Sequence, residues 1–453
     1  MPRSKRGIFF VLFTISYLNI WKDGKENVPL QVILKTMKAK SWISQYGQKA
    51  LLAVLAIAVF CYWYFLYPYV IVAREMSQLF LWNSDYFMER IIIPGGAAQY
   101  LGECITQFFM NPTNGALTYA IFFILAQKLS SKLLLQFFPT IRNKIRFPLS
   151  LVIPILLWYV AMLPHIPLTP TMAALLVMAV GCAVMSIQAK RIRLIILCLL
   201  IPVMYWLIGP MAALLIFCSI YWIPLTATLF TTCLIGSSYV MPYPLAQIAK
   251  GIDYDWSGVR EMGTYEEMEC DMLIRQQQWD KILEKFPAPK SPAVRSACIL
   301  AYYQSGQMGY QELMSTIVIP ISMYESAPSV FCLDDLHFNV YFGSLSSAFI
   351  VSELATQLSW PAISQRAAFE AMEYIPNYNK SGRALKKLTE ICIITGQYDL
   401  AEKYLSILDE TTFYRRWVKK MRPLVNNPKL IEQYPFMRKS RDSYLKTKDF
   451  FFI

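Results

Sequence analysis

The sequence predicts an all-α protein, with a polytopic helical membrane domain of six or seven spans followed by a tetratricopeptide-like helical-repeat domain. Three observations carry that prediction. The chain of 453 residues is 56% hydrophobic and only 16% charged, too apolar for an ordinary soluble protein. Its first half consists of apolar runs of membrane-crossing length separated by short basic segments. After residue 250 these runs give way to charged, amphipathic helical patterns.

The charge distribution orients the first half. The formal net charge is +13, yet residues 250–453 carry 24 basic and 24 acidic side chains, so the whole excess lies in residues 1–249. There it clusters at Lys22 to Lys49, at Lys128 to Arg146 and at Lys190 to Arg193. These are the flanks and alternate loops of the apolar runs, which is the positive-inside pattern of a cytoplasmic membrane protein. The basic balance therefore reports topology and excludes a nucleic-acid partner.

The elements follow in order. Residues 1–49 form a basic extension. Gly7 to Trp21 is apolar and no small-residue cleavage site follows, so a short interfacial or uncleaved segment is expected. The next stretch pairs Ile33, Met37 and Trp42 with Lys35, Lys38 and Lys40, a pattern suited to lying on anionic lipid. The membrane domain is 50–249. Its first span is Ala50 to Val72, with an aromatic belt from Tyr62 to Tyr69, and a polar outer loop occupies 73–114. Gly115 to Gln136 returns, Phe147 to Leu163 goes out, Pro164-His165-Ile166-Pro167 turns, and Leu168 to Gln188 comes back. No charge occurs between Arg193 and Lys250. Breaks at Gly209-Pro210 and Pro224 divide that run into three spans, giving seven in all and an outer C-terminal half. Two spans would give six and an inner one. Seven is preferred because the preceding spans are also short.

Residues 250–411 read as helical repeats, a solenoid of the kind whose concave face suits a protein partner. Ile391 to Leu408 is the best copy: Gly396 makes the turn, Tyr398 packs back and Ala401 allows close helix approach. Weaker copies turn at Gln277-Gln278-Trp279, Ser305-Gly306-Gln307 and Ser359-Trp360-Pro361, spaced irregularly by roughly 30 to 50 residues. Residues 412–453 form a basic tail that either neutralises the acidic repeat body or touches anionic lipid. Its terminal Asp449 to Ile453 either tucks into the repeats or dips into the membrane.

Candidate chemistry concentrates in the outer loop, where the membrane half places most of its acids. Glu75 follows the first span closely and would be partly desolvated, as suits a base or metal ligand. Asp85 and Glu89 are four residues apart, on one face of an interfacial helix, and could hold a divalent cation at a phosphate-bearing substrate. Arg90 would clamp phosphate, and Gly95 and Gly96 would bring backbone amides to an anion. Gln99 would face a cavity. If the chain is an enzyme, Glu75 and Asp85 are its catalytic candidates, and Glu89, Arg90, Gly95, Gly96 and Gln99 its substrate contacts. The plainer reading keeps the acids in water, pairs one with Arg90, and lets Pro94-Gly95-Gly96 simply reverse the chain. His165 reads as a solvated turn residue, and His337 as a helix-end residue with Asp334 and Asp335 capping. The ten Cys form no CxxC pair, and no cofactor motif is evident.

Two long segments, SQLFLWNSDYFMERIIIPGGAAQYLGECITQFF and RAAFEAMEYIPNYNKSGRALKKLTEICIITGQYDLAEKYLSILDETTFYRRW, and the final KDFFFI resemble an uncharacterised bacterial family of multi-pass membrane proteins with a tetratricopeptide-like C-terminal domain. The resemblance runs from about residue 50 to the end. It implies the bacterial inner membrane and no settled activity. That family commonly has Glu-Gln where this chain has Glu75-Met76. A more distant, positional likeness places Glu75 where membrane glycosyltransferases that use lipid-linked sugars carry a carboxylate. Two functions are therefore expected as alternatives: an envelope scaffold or assembly factor binding a protein partner, or a polyprenyl-phosphate-sugar-dependent glycosyltransferase. A transporter is disfavoured because the spans lack ionisable residues.

Overall fold

A computed structural model describes residues 47–251, 261–317, 343–375 and 381–447. The basic segment before residue 47, His337 with Asp334 and Asp335, and the terminal Asp449 to Ile453 lie outside the described residues. The chain divides at Val54 into two units. Of the first, residues 47–54 are described as the opening turns of α1 (Gly47–Leu66). The second runs from Leu55 to Ile453, with no division near residue 250.

The described residues form helices and no strands. Four helices are long and apolar enough to cross a membrane. These are α1, α5 (Pro112–Phe137), α6 (Asn143–Ala161) and the apolar stretch Lys190–Val240. A fifth apolar helix, α7 (Thr169–Met185), is shorter. Lys190–Val240 consists of α8 (Lys190–Ile208), a 3-10 stretch (Gly209–Trp222) and α9 (Ile223–Val240). The breaks fall at Gly209, with φ 68° and ψ −149°, and near Ser219 and Trp222, just before Pro224. All three segments pack against one another, with Leu197, Ile201, Tyr205, Ala212 and Leu215 in their shared core.

The first apolar run ends earlier than its hydropathy suggests. It breaks at Tyr67, and α2 (Pro68–Met76) starts as a separate helix. Pro68 explains the break, because proline donates no backbone hydrogen bond and disfavours helical geometry in the residue before it. The polar loop then folds into two helices, α3 (Ser84–Ile91) and α4 (Gly96–Thr106). Asn83 caps α3 by accepting from the Tyr86 amide at 2.7 Å. Gly95 supplies the left-handed residue (φ 97°) that starts α4. A Cβ on Gly96 would meet the Arg90 carbonyl at 1.7 Å, so only glycine fits there.

α10 (Leu245–Lys250) ends the apolar half. The second half contains α11 (Tyr265–Arg275), α12 (Trp279–Lys285), α13 (Pro292–Gln304), α14 (Tyr310–Ile317), α15 (Leu345–Gln357), α16 (Pro361–Glu373), α17 (Gly382–Thr395), α18 (Tyr398–Asp409), α19 (Arg415–Asn426) and α20 (Pro435–Thr447). Four of the tight turns share one geometry. Each has a left-handed residue: Gln277 (φ 54°), Gly306 (φ 74°), Ser359 (φ 62°) and Gly396 (φ 83°). In each, the next amide reaches back five residues: Gln278 to Leu273, Gln307 to Tyr302, Trp360 to Ala355 and Gln397 to Cys392, all at 2.8–3.0 Å. This is the Schellman closure, which satisfies carbonyls that a helix end would otherwise orphan.

Candidate functional site

The polar loop 73–114 is built into the second half. α2 packs on α11 and α17, and Leu79 joins the core formed by Leu385, Leu405, Tyr414 and Val418. Backbone bonds stitch the junction, with the Trp82 amide donating to the Glu410 carbonyl (3.0 Å) and the Gly382 amide to that of Gln78 (3.4 Å). Trp82 Nε1 donates to Thr412 Oγ1 (2.6 Å), and Asn83 Nδ2 donates to Glu410 Oε2. Phe108 meets Phe413 edge to face.

Glu75 lies in this junction, 5% exposed. Its Oε1 accepts from Tyr414 Oη at 3.1 Å, while Oε2 has no partner. Beside it is a cavity of about 20 Å³, also lined by Gln78, Gln107 and Gly382. Burial pushes the Glu75 carboxyl up from its ordinary value, against the opposing charges of Arg275 and Arg383. Arg383 is already committed: it donates two hydrogen bonds to Asp271 (2.5 and 2.7 Å) and lies 3.4 Å from Glu353. Lys387 also donates to Glu353, at 2.8 Å. Burial alone would raise the Glu353 carboxyl, but the charges of Lys387 and Arg383 outweigh it and bring it down to about 2.

The neighbouring Arg74 turns away from this network. It donates to Tyr119 Oη and to the carbonyls of Ala161 and Leu163, both at 2.8 Å. It thereby places a cation on the C-terminal end of α6, where the helix dipole favours one.

A second cluster centres on Glu103, to which the sequence reading assigned no role. Arg90 Nε donates to Glu103 Oε2 at 3.0 Å, Tyr86 Oη to the same oxygen at 2.5 Å, and Gln99 Nε2 to Oε1 at 3.1 Å. Arg90 also lies over the Tyr86 ring. Burial holds the Glu103 carboxyl above its usual range despite the Arg90 charge.

The structure thus brings two of the predicted site residues, Arg90 and Gln99, around a carboxylate inside the protein. Arg90 is engaged there rather than free to clamp a phosphate. Gly95 donates its amide to the Trp206 carbonyl (2.8 Å) and Gly96 to that of Ile93 (2.9 Å), so these groups hold the chain reversal instead of awaiting an anion. Asp85 and Glu89 are exposed on α3, with Glu89 3.9 Å from Arg90. Among the described residues no group of three or more His, Cys, Asp or Glu side chains could hold a metal ion, and the nine described cysteines are free. Glu103 was within reach of sequence reasoning, being four residues from Gln99 on one helical face. Tyr414, 339 residues from Glu75, had no such local signal.

A larger cavity, about 410 Å³, lies between the Pro164-His165 turn and the starts of α11, α13 and α15. His165, expected to be solvated, is half-buried in its wall, and burial and the Arg74 charge lower its pKa. One carboxylate ties the three helix starts together. Glu267 accepts from the Thr264 amide (3.0 Å), from Ser291 Oγ (2.5 Å) and from Ser344 Oγ (3.0 Å). This places negative charge where three helix dipoles favour it.

Fold and site together define an all-helical protein with several membrane-capable helices and a polar loop seated in its helical C-terminal half. The chain belongs to a family of unknown function, DUF6057, whose model matches residues 44–251 and 219–453. Comparison with curated proteins and with solved structures finds no match.

Proposed function

We propose that the chain is a seven-span protein of the bacterial inner membrane whose outer loop and tetratricopeptide-like repeats act as one scaffold for a protein partner. The junction of loop 73–114 with the repeats carries this reading. Two segments packed together lie on one side of a membrane, so an even number of crossings must separate them. α5, α6, α7, α8, the 3-10 stretch and α9 supply six. The 14-residue 3-10 stretch, bent at Ser219, would reach about 28 Å if straight at about 2.0 Å per residue, and the 17-residue α7 reaches about 26 Å at about 1.5 Å per residue, both near the roughly 30 Å of a hydrocarbon core. The basic linker between α5 and α6 then faces the cytoplasm. Membrane lipids surround the spans, whose apolar side chains Leu117, Ile121, Leu199 and Val203 are exposed.

The four equivalent turns support the repeat reading. The alternative of a glycosyltransferase acting on a lipid-linked sugar draws less from the geometry. Its catalytic candidates are separated, Glu75 being sealed in the junction and Asp85 exposed on α3. Exposed aromatics on the repeats, Tyr302, Tyr310 and Phe369, offer anchors of the kind that dominate protein interfaces. The test is photo-crosslinking of the full-length protein in cells, with the reactive residue placed in turn at these three positions. A defined crosslinked species that Tyr310→Glu abolishes is expected. No protein crosslink at any of the three would overturn the scaffold reading.

A further inference from the structure

Glu75 differs from the other buried acids among the described residues: Glu267, although it too lacks a cation, accepts hydrogen bonds from the Thr264 amide and from the Ser291 and Ser344 hydroxyls, covering both of its oxygens. Asp271, Glu353 and Glu103 each lie within hydrogen-bond distance of a cation. Glu75 accepts one hydrogen bond, from a neutral phenol, and its other oxygen is unpartnered beside a cavity of about 20 Å³. That space admits about one water molecule. Of the cations on α2, α11 and α17, all but Arg275, whose Nη1 is buried without a hydrogen-bond partner, are engaged by other groups. On α17, Arg383 is bound to Asp271 and Glu353, and Lys387 to Glu353. On α11, Arg275 acts on Glu75 through its charge, with no ion pair between them among the described residues. On α2 itself, Arg74 is bound to Tyr119 and to carbonyls at the end of α6.

We propose that Glu75 and Tyr414 form a proton-operated latch between the polar loop and the helical repeats, seated while the carboxyl is neutral and released when it ionises. A neutral carboxyl accepts the Tyr414 hydroxyl on Oε1 and directs its own O–H from Oε2 into the small cavity, where a water completes it. An ionised carboxylate has no direct donor for Oε2, and leaving it buried costs more than exposing it. The sign follows from the raised pKa of the seated state. Seating is fully favoured at acid pH and is lost as pH rises through that elevated value. The segment such a release would free is the one stitched down by Trp82, Asn83 and Gln78, so the latch controls whether loop and repeats present one surface or two.

The test uses the full chain in nanodiscs, with nitroxide labels at the exposed positions Ser84 and Arg416 and distances read by pulsed electron resonance across a pH series. Wild type should give a single short distance at acid pH and a growing longer population as pH rises. Glu75→Gln should keep the short distance throughout. Tyr414→Phe removes the hydroxyl that the seated carboxyl accepts, so seating is weaker and its transition should move to lower pH. In parallel, difference infrared spectra should show a protonated carboxyl band that is lost over the same pH range as the distance change. Identical distributions for wild type and Glu75→Gln at every pH would overturn the latch. So would a Tyr414→Phe transition that stays in place or moves up, or a carboxyl band that titrates apart from the distance change.

Discussion

Glu75 and Glu103 stand 28 residues apart in one loop, are buried alike, and are held by different chemistry. Glu103 receives a guanidinium, a phenol and an amide, whereas Glu75 receives one phenol. The difference decides what each substitution does. Glu103→Ala leaves the Arg90 guanidinium inside the protein without its buried carboxylate, and removing one member of such a pair typically costs about 3–5 kcal/mol. A large drop in the thermal unfolding midpoint of the purified protein is therefore expected. Glu89→Ala, at a glutamate on the exposed face of α3, should change stability by less than about 0.5 kcal/mol. Equal effects of the two would show that the Arg90–Glu103 pair does not hold the loop. The sequence revealed that this loop was unusual, because acids beside a bilayer stand out by composition. It expected Glu75 to be desolvated and, on the plainer reading, the α3 acids to face water, but it gave Glu103 no role, because burial depends on which face of α4 meets the rest of the chain. Asp85 and Glu89 share a face, as their spacing implies, but that face is the solvent one.

Among the elements, the four turns of the C-terminal half were the most readable feature. Turn chemistry is local. Gly306 and Gly396 announce left-handed positions directly, and Ser359-Trp360-Pro361 does so through the proline that follows. Gln277 and Ser359 occupy left-handed geometry without being glycine, which costs each about 1 kcal/mol or more. Ser359→Gly should accordingly raise the unfolding midpoint by an amount equivalent to about 1 kcal/mol, although Ser359 Oγ also accepts from Ser440 at 3.3 Å. An unchanged or lowered midpoint would mean that the Ser440 contact outweighs the backbone strain. The span boundaries were less readable, since hydropathy continues across Tyr67 into α2, whereas the backbone changes direction at Pro68. Apolarity marks what can sit in lipid, and α2 is apolar because it is buried against α11 and α17.

At the scale of the whole molecule, the sequence left the side of the repeats open between six and seven spans. No local pattern bears on it, because the contacts that support the seven-span proposal join residues more than 300 positions apart. Trp82 with Thr412, Asn83 with Glu410 and Glu75 with Tyr414 join the polar loop to the helical C-terminal half. Leu79 is buried among residues of the C-terminal half, so that half lacks part of its core when separated from the loop. The central claim is that loop and repeats share one side of the membrane. Single-cysteine labelling in a cysteine-free background tests it most directly, with a membrane-impermeant maleimide applied to intact cells at Ser84 in the loop, Gln276 in the repeats and Arg142 in the basic linker. All three positions are exposed or partly exposed. The account predicts that Ser84→Cys and Gln276→Cys react from outside while Arg142→Cys is protected until the membrane is opened. Reaction at Ser84→Cys with protection at Gln276→Cys would contradict it.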